Sequence, residues 1–140
     1  MLNIRQNNDP NYRYKMPKMV IKQERQLKIT NLSELAKSLH TKPKYIIKFF
    51  GYELGTSSNY SSTESTGILN GNYSYELLKE LLYSFIDKFI VCPECDLPET
   101  KLKLNSDNTK LKMKCDACGH RCKIKNHKLV DYIIKDLLVE

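Results

Sequence analysis

Between Leu77 and Phe89 the apolar residues Leu77, Leu78, Leu81, Leu82, Phe85, Ile86 and Phe89 recur at helical spacing and form one continuous stripe. The spacing predicts a long core-facing helix, with Asn72 or Ser74 placed to cap it. Upstream, Leu32, Leu35, Ala36 and Leu39 follow at i, i+3, i+4 and i+7, behind Asn31 as a cap and Glu34 three residues later. A second helix opens at Pro43, which the first turn tolerates because its amide has no intrahelical partner. Tyr45, Ile46, Phe49 and Phe50 supply its apolar face, and Gly51 is expected to end it. A last helix carries Leu129, Tyr132, Ile133, Leu137 and Leu138, with Asn126 as its cap. Short strands are expected at Val20–Ile21, Leu27–Ile29 and Ile68–Leu69, the last running into a turn at Asn70-Gly71. The Ser/Thr-rich stretch from Gly55 to Gly67 reads as an exposed loop.

Period-two alternation takes over near the end of the chain. Leu102 and Leu104, then Leu111 and Met113, alternate with lysines on either side of Asn105-Ser106-Asp107-Asn108, the pattern of a β-hairpin. That hairpin is bracketed by Cys92-Pro-Glu-Cys95 and Cys115-Asp-Ala-Cys118, two C-x-x-C knuckles nineteen residues apart. Two sulfurs from each knuckle can complete a tetrahedron of thiolates around one zinc ion, and four sulfurs leave no open position for water. A structural Zn²⁺ held by Cys92, Cys95, Cys115 and Cys118 is therefore expected, one per chain. Cys122 is the odd thiol and is assigned to a strand or the core; His120 and His127 are assigned no ligand role. The fold class that follows is α+β: a small mixed helix/strand domain packed against a four-cysteine zinc ribbon, with a closing C-terminal helix. Its expected divisions are a flexible polar lead-in over 1–11, an α/β domain with an N-terminal arm over 12–91, and the ribbon with its helix over 92–140.

At 140 residues the chain has room for one moderate domain and the ribbon. No apolar run approaches the roughly 18 residues of a membrane span, and no secretory pattern opens the chain. Five cysteines, four of them in zinc spacing, suit a reducing compartment better than a disulfide scaffold, and a cytoplasmic location is expected. The chain is also expected to be a monomer. The net charge of +7 is uneven. Residues 1–50 hold eleven Lys/Arg against three Asp/Glu, residues 51–91 two against five, and residues 92–125 eight against five. Four thiolates and one zinc ion would leave the ribbon close to neutral, so an anionic partner is expected at the N-terminal third.

There Tyr12-Arg13-Tyr14-Lys15-Met16-Pro17 alternates aromatic and cationic residues. Two readings stand: a strand or arm docked through its tyrosines, or an arm that presents Arg13 to a phosphate. The Leu32–Phe50 helix pair also has the form of a helix-turn-helix, which keeps a DNA-binding regulator among the alternatives.

Taken in order, these residues resemble the N-terminal domain of eukaryotic translation initiation factor 5. The resemblance is carried by Tyr12 to Pro17, Lys48-Phe49-Phe50-Gly51 with Glu53-Leu54-Gly55, Asn70-Gly71, and Phe85-Ile86 with Lys88-Phe89. Cys92-Pro93-Glu94-Cys95, Pro98-Glu99-Thr100, Cys115 with Ala117-Cys118-Gly119, and His127-Lys128-Leu129 complete it. It implies a GTPase-activating protein for GTP-bound initiation factor 2 carrying initiator tRNA on the small ribosomal subunit, and so contacts with a GTP site and with RNA. The chain would be no enzyme itself but would supply a residue to another protein's site. By the resemblance Arg13 is the arginine placed at the nucleotide, Lys48 an assisting lysine and Lys28 a possible second. The family's glycine-rich segment between its first strands is shortened here to Glu24-Arg25-Gln26-Leu27-Lys28. The beta subunit of initiation factor 2 shares the fold and the ribbon, so a non-activating binding module is the alternative. The resemblance implies a further C-terminal helical-repeat domain in full-length members, so this chain is expected to be a fragment or a naturally reduced version.

Overall fold

A computed structural model describes residues 2–4, 14–95, 97–124 and 127–139, which fold as two units, residues 1–85 and 86–140. In the first unit, β1 (Leu2–Asn3) pairs antiparallel with β2 (Lys15–Met16). The Ile4 amide extends the ladder to the Tyr14 carbonyl at 3.0 Å. At residues 2–4 the chain thus departs from the flexible lead-in expected over 1–11. The reason is apolar: Ile4 and Met16 are both fully buried. The remainder of that segment lies outside the described residues, as do Arg13 and the proposed cap Asn126.

Four strands, β3 (Ile21–Gln23), β4 (Leu27–Ile29), β5 (Ser58–Ser61) and β6 (Thr66–Leu69), form an antiparallel sheet in the order β3-β4-β6-β5. The stretch expected to be a loop between Gly55 and Gly67 is therefore largely the β5–β6 hairpin, with Ser58 opposite Leu69 and Ser61 opposite Thr66. Its Ser/Thr content misled because β5 is an edge strand whose side chains need not be apolar.

Helices α1 (Leu32–Ser38) and α2 (Pro43–Leu54) touch each other and β6, and α2 also touches β5. Leu32, Leu35, Ala36 and Leu39 are all buried, as the spacing predicted. Asn31 precedes α1 but makes no side-chain cap. Its Oδ1 accepts from the Val20 amide at 2.9 Å and its Nδ2 donates to the Lys18 carbonyl at 2.7 Å, so it ties the 18–20 segment to the helix start instead. Nor does Gly51 end α2. The helix runs on to Leu54 and closes at Gly55 (φ 65°), while Gly51 is buried where the helix passes β5.

Helix α3 (Tyr75–Phe89) starts as expected, with Ser74 Oγ accepting from the Leu77 amide at 3.2 Å. Leu78, Leu82, Phe85, Ile86 and Phe89 are buried along it, and Phe85 meets Phe49 edge-on with ring centroids 5.5 Å apart.

The second unit is built on three antiparallel strands, β7 (Thr100–Leu104), β8 (Leu111–Cys115) and β9 (Arg121–Lys123), with β8 central. The predicted hairpin is present and a third strand extends it. Asn105 shapes the turn, its Oδ1 accepting from the amides of Thr109 (2.9 Å) and Lys110 (3.0 Å). Helix α4 (Lys128–Val139) touches β7 and β8 and buries Leu129, Val130 and Ile133, which makes it the closing helix. His127 fills the capping role at its start, Nδ1 accepting from the Leu129 amide at 3.0 Å.

Candidate functional site

Cys92, Cys95, Cys115 and Cys118 come together at the knuckle end of the ribbon, with their sulfurs all within 4.8 Å of one another. Cys92 Sγ lies 3.7 Å from Cys118 Sγ, and Cys95 Sγ 3.6 Å from Cys115 Sγ. A disulfide needs roughly 2.05 Å, so these are free thiols. A tetrahedron with metal–sulfur bonds of about 2.3 Å has sulfur–sulfur edges of about 3.8 Å. Donor type, number and spacing therefore fit a zinc ion. The local fold sets this up: the Cys115 amide donates to the His120 carbonyl at 2.9 Å and the Cys92 amide to the Leu97 carbonyl at 3.0 Å, closing both knuckles.

Electrostatics point the same way. The Leu97 amide favours a thiolate at Cys95, but desolvation and the hydrogen bonds it shares with Cys115, Cys118 and Cys92 outweigh that and push its pKa up to about 12. At Cys115 desolvation opposes ionisation, yet the amides of Cys118 and Ala117 and the neighbouring thiols hold the group below its usual range. Four close sulfurs cannot all carry charge without a cation between them, and backbone amides are already turned toward them.

Cys122 lies on β9 opposite Met113 and outside the cluster, in agreement with its assignment to a strand. Burial, with Cys92 nearby, pushes its thiol up. His127 is an N-terminal cap whose ring also meets Phe89 edge-on at 6.1 Å. Sequence reading missed this role because imidazole is an uncommon cap.

Of the residues singled out for phosphate chemistry, Lys28 and Lys48 fall among the described residues. Arg13 lies outside the described residues. Lys28 sits on β4 directly opposite Lys22, and Glu24 bridges both, at 3.4 Å and 3.0 Å. The hydrogen bonds from Lys22 and Lys28 hold the Glu24 carboxyl below the usual range. Lys48, whose place on the helix suggests an outward-pointing charge, is half-buried and donates to the Ser58 carbonyl at 3.0 Å. It is drawn in because α2 packs against edge strand β5, where that carbonyl has no strand partner on the open side. Helix α2 exposes only Glu53 and buries Tyr45, Ile46, Ile47, Phe49, Phe50 and Gly51, so it lacks the free face that a DNA-recognition helix lays in a groove.

Fold and site together define an α+β domain followed by a four-thiol ribbon with a closing helix. The family described as the domain found in initiation factors 2B and 5 matches residues 4–121. Eukaryotic translation initiation factor 5 of Caenorhabditis elegans is 41% identical over 134 residues, covering 91% of this chain and 30% of the relative. The mouse protein of that name is 37% identical over 91% of this chain and 31% of its own length. That of Saccharomyces cerevisiae is 36% identical over 94% of this chain and 34% of its own. The chain belongs to this family and is similar to factor 5 over about nine-tenths of its own length. It spans about a third of the length of these relatives. No helix among the described residues is long and apolar enough to cross a membrane.

Proposed function

We propose that this chain acts in translation initiation as a GTPase activator for initiation factor 2 in its complex with GTP and initiator tRNA, on the small ribosomal subunit in the cytoplasm. The observation that carries the reading is identity of 36–41% to factor 5 proteins across about nine-tenths of the chain. The activator contributes little covalent chemistry. Charge shifts on the phosphoryl oxygens in the transition state, and a guanidinium delivered in trans stabilises it, an effect of about 10³ to 10⁵ in rate. Arg13 is that guanidinium. Lys28 assists from the sheet surface, where Glu24 is an exchangeable, exposed partner. Lys48 would have to leave the Ser58 carbonyl to do the same, so its part is to hold α2 on β5. Cys92, Cys95, Cys115 and Cys118 bind one Zn²⁺ that fixes the ribbon and takes no part in hydrolysis.

A specific observation favours a second reading. Only Glu24, Arg25 and Gln26 connect β3 to β4, where the resemblance leads one to expect a longer glycine-rich segment. A chain lacking that segment could occupy the initiation complex as a binding module, like the factor 2 beta subunit. Single-turnover GTP hydrolysis by the factor 2 ternary complex separates the two. Activation predicts a rate increase that saturates with added chain; binding without acceleration leaves the module reading.

A further inference from the structure

With four thiolates and one zinc ion the ribbon would be close to neutral in net charge, but the strand register sorts its cations onto one face. Lys101 pairs with Lys114, which pairs with Arg121; Lys103 pairs with Lys112, which pairs with Lys123. Directly paired residues point to the same side of a sheet. The other side carries Leu102, Leu104, Leu111, Met113, Cys115 and Cys122, the face that α4 and the knuckles use. All six cations therefore share one side, in two rows of three. They are spaced about 4.8 Å across the strands and about 6.8 Å along them. Five of the six are exposed and Lys114 is half-exposed.

Like charges directly opposite one another across strands are destabilising. The first unit shows how a neighbouring carboxylate can relieve such a conflict. Lys22 and Lys28 face each other on β3 and β4, and Glu24 sits between them and pairs with both. On the ribbon the single relief among the described residues is Lys101 with Asp116 at 3.5 Å. None of the other five has an ion pair among the described residues. The described acids between the first knuckle and β9, Glu94, Glu99, Asp107 and Asp116, all fall outside the strands, and Asp131 and Asp136 lie on α4. A regular cation array kept at a cost to the fold fits a regular polyanion.

We propose that this face of the ribbon binds the phosphate backbone of RNA. The inference rests on the translation-factor reading only for the choice of RNA; the location of the site comes from the register. The face offers no aromatic ring on which a base could stack, so recognition is of backbone rather than sequence. With four or five phosphates engaged, the logarithm of the binding constant should fall with the logarithm of salt with a slope of about −3.

The test uses the zinc-loaded chain and a fluorescein-labelled short oligouridylate, read by anisotropy across a salt series. Removing one row (Lys103→Gln, Lys112→Gln, Lys123→Gln) should weaken binding at least about tenfold and flatten the slope by about 2. The same variant should retain its zinc and unfold no lower than the parent, since it relieves repulsion. Removing three exposed lysines elsewhere (Lys18→Gln, Lys37→Gln, Lys128→Gln) should change affinity less than about twofold beyond the general charge effect. Equal losses from the two triple variants would overturn the proposal, because binding would then follow net charge alone. Displacement of the RNA by polyglutamate as readily as by unlabelled oligouridylate would overturn it in favour of an acidic protein partner. GTP hydrolysis is not read in this assay, so failure of the activator reading leaves its outcome unaffected.

Discussion

Gly51 of α2 lies so close to Ser58 of β5 that a Cβ added to the glycine would sit 2.3 Å from Ser58 Oγ and 2.8 Å from its Cβ. The helix can approach the edge strand only because this position has no side chain. Two effects then compete in Gly51→Ala. Alanine favours a helix interior by about 1 kcal/mol over glycine. Against that stands a clash with an atom fixed to the β5 backbone, and overpacking of this kind costs typically about 1–3 kcal/mol. Because Ser58 Cβ cannot rotate away, the clash should prevail. Gly51→Ala is expected to lower the midpoint of thermal unfolding, and Ser58→Gly combined with it should restore part of the loss. A variant as stable as the parent would show that α2 can shift away from β5 freely.

Lys48 lies one turn before Gly51 and reaches the same strand. A hydrogen bond from a charged donor is worth about 1.5–3 kcal/mol when buried, and the half-exposed setting of Lys48 places it at or below the low end. Lys48→Met keeps the apolar stem and removes the donor, and should lower the unfolding midpoint by about 3–6 °C. Stimulated hydrolysis measured at a temperature where both proteins are folded should change little. A large fall in rate with unchanged stability would return Lys48 to the nucleotide.

The thiol cluster gives a prediction about metal and pH together. Zinc must displace the proton that Cys95 holds up to about 12, so binding should release protons and the apparent affinity should rise with pH. Titrations in buffers of different ionisation enthalpy would report that proton release. Structural zinc supplies roughly 10–16 kcal/mol of apparent binding free energy in small domains, so Cys115→Ser should unfold the ribbon. Amide exchange should then become fast at Leu102 and Met113 while Leu35 and Phe49, in the first unit, keep their protection. Purified protein with no zinc, or with disulfides among these four cysteines, would refute the assignment.

How much of this could be read from the chain depends on whether a residue's role is local. The stripes of α1, α2 and α3 and the alternation of β7 and β8 were legible because each element's own periodicity marks the face it buries, although Leu77, in the first turn of α3, is exposed. The four-cysteine cluster was legible because two-residue spacing in each knuckle is itself the geometric requirement. Strand β5 was hidden because an edge strand of Ser-Asn-Tyr-Ser has little apolar signal of its own. Gly51 and Asn31 were given local roles, C-cap and N-cap, but serve distant partners, Ser58 and the 18–20 segment. The ribbon's basic face was concealed for a related reason: counted along the chain its lysines are diluted by acids, and only register shows that the acids lie elsewhere.

Arg13 carries the functional proposal, and its chemistry allows a strict test. Its flanking tyrosines, Tyr12 and Tyr14, can serve as anchors while the guanidinium reaches a partner, and Tyr14 itself is half-buried beside β2. If Arg13 completes the nucleotide site of factor 2, Arg13→Ala should reduce the saturating single-turnover rate by at least about 10³, or roughly 4 kcal/mol of transition-state stabilisation. Binding to the ternary complex and thermal stability should be nearly unchanged, because the contact forms only as charge develops on the phosphoryl group. Arg13→Lys should recover little, since an ammonium is a point charge and cannot reproduce the planar, two-pronged donor geometry. An arginine that merely docks the arm behaves differently. Its loss would weaken binding, the rate at saturation would persist, and lysine would rescue much of the effect. A parent-like saturating rate from Arg13→Ala would therefore refute the arginine-finger role and leave the chain a binding module of the initiation complex.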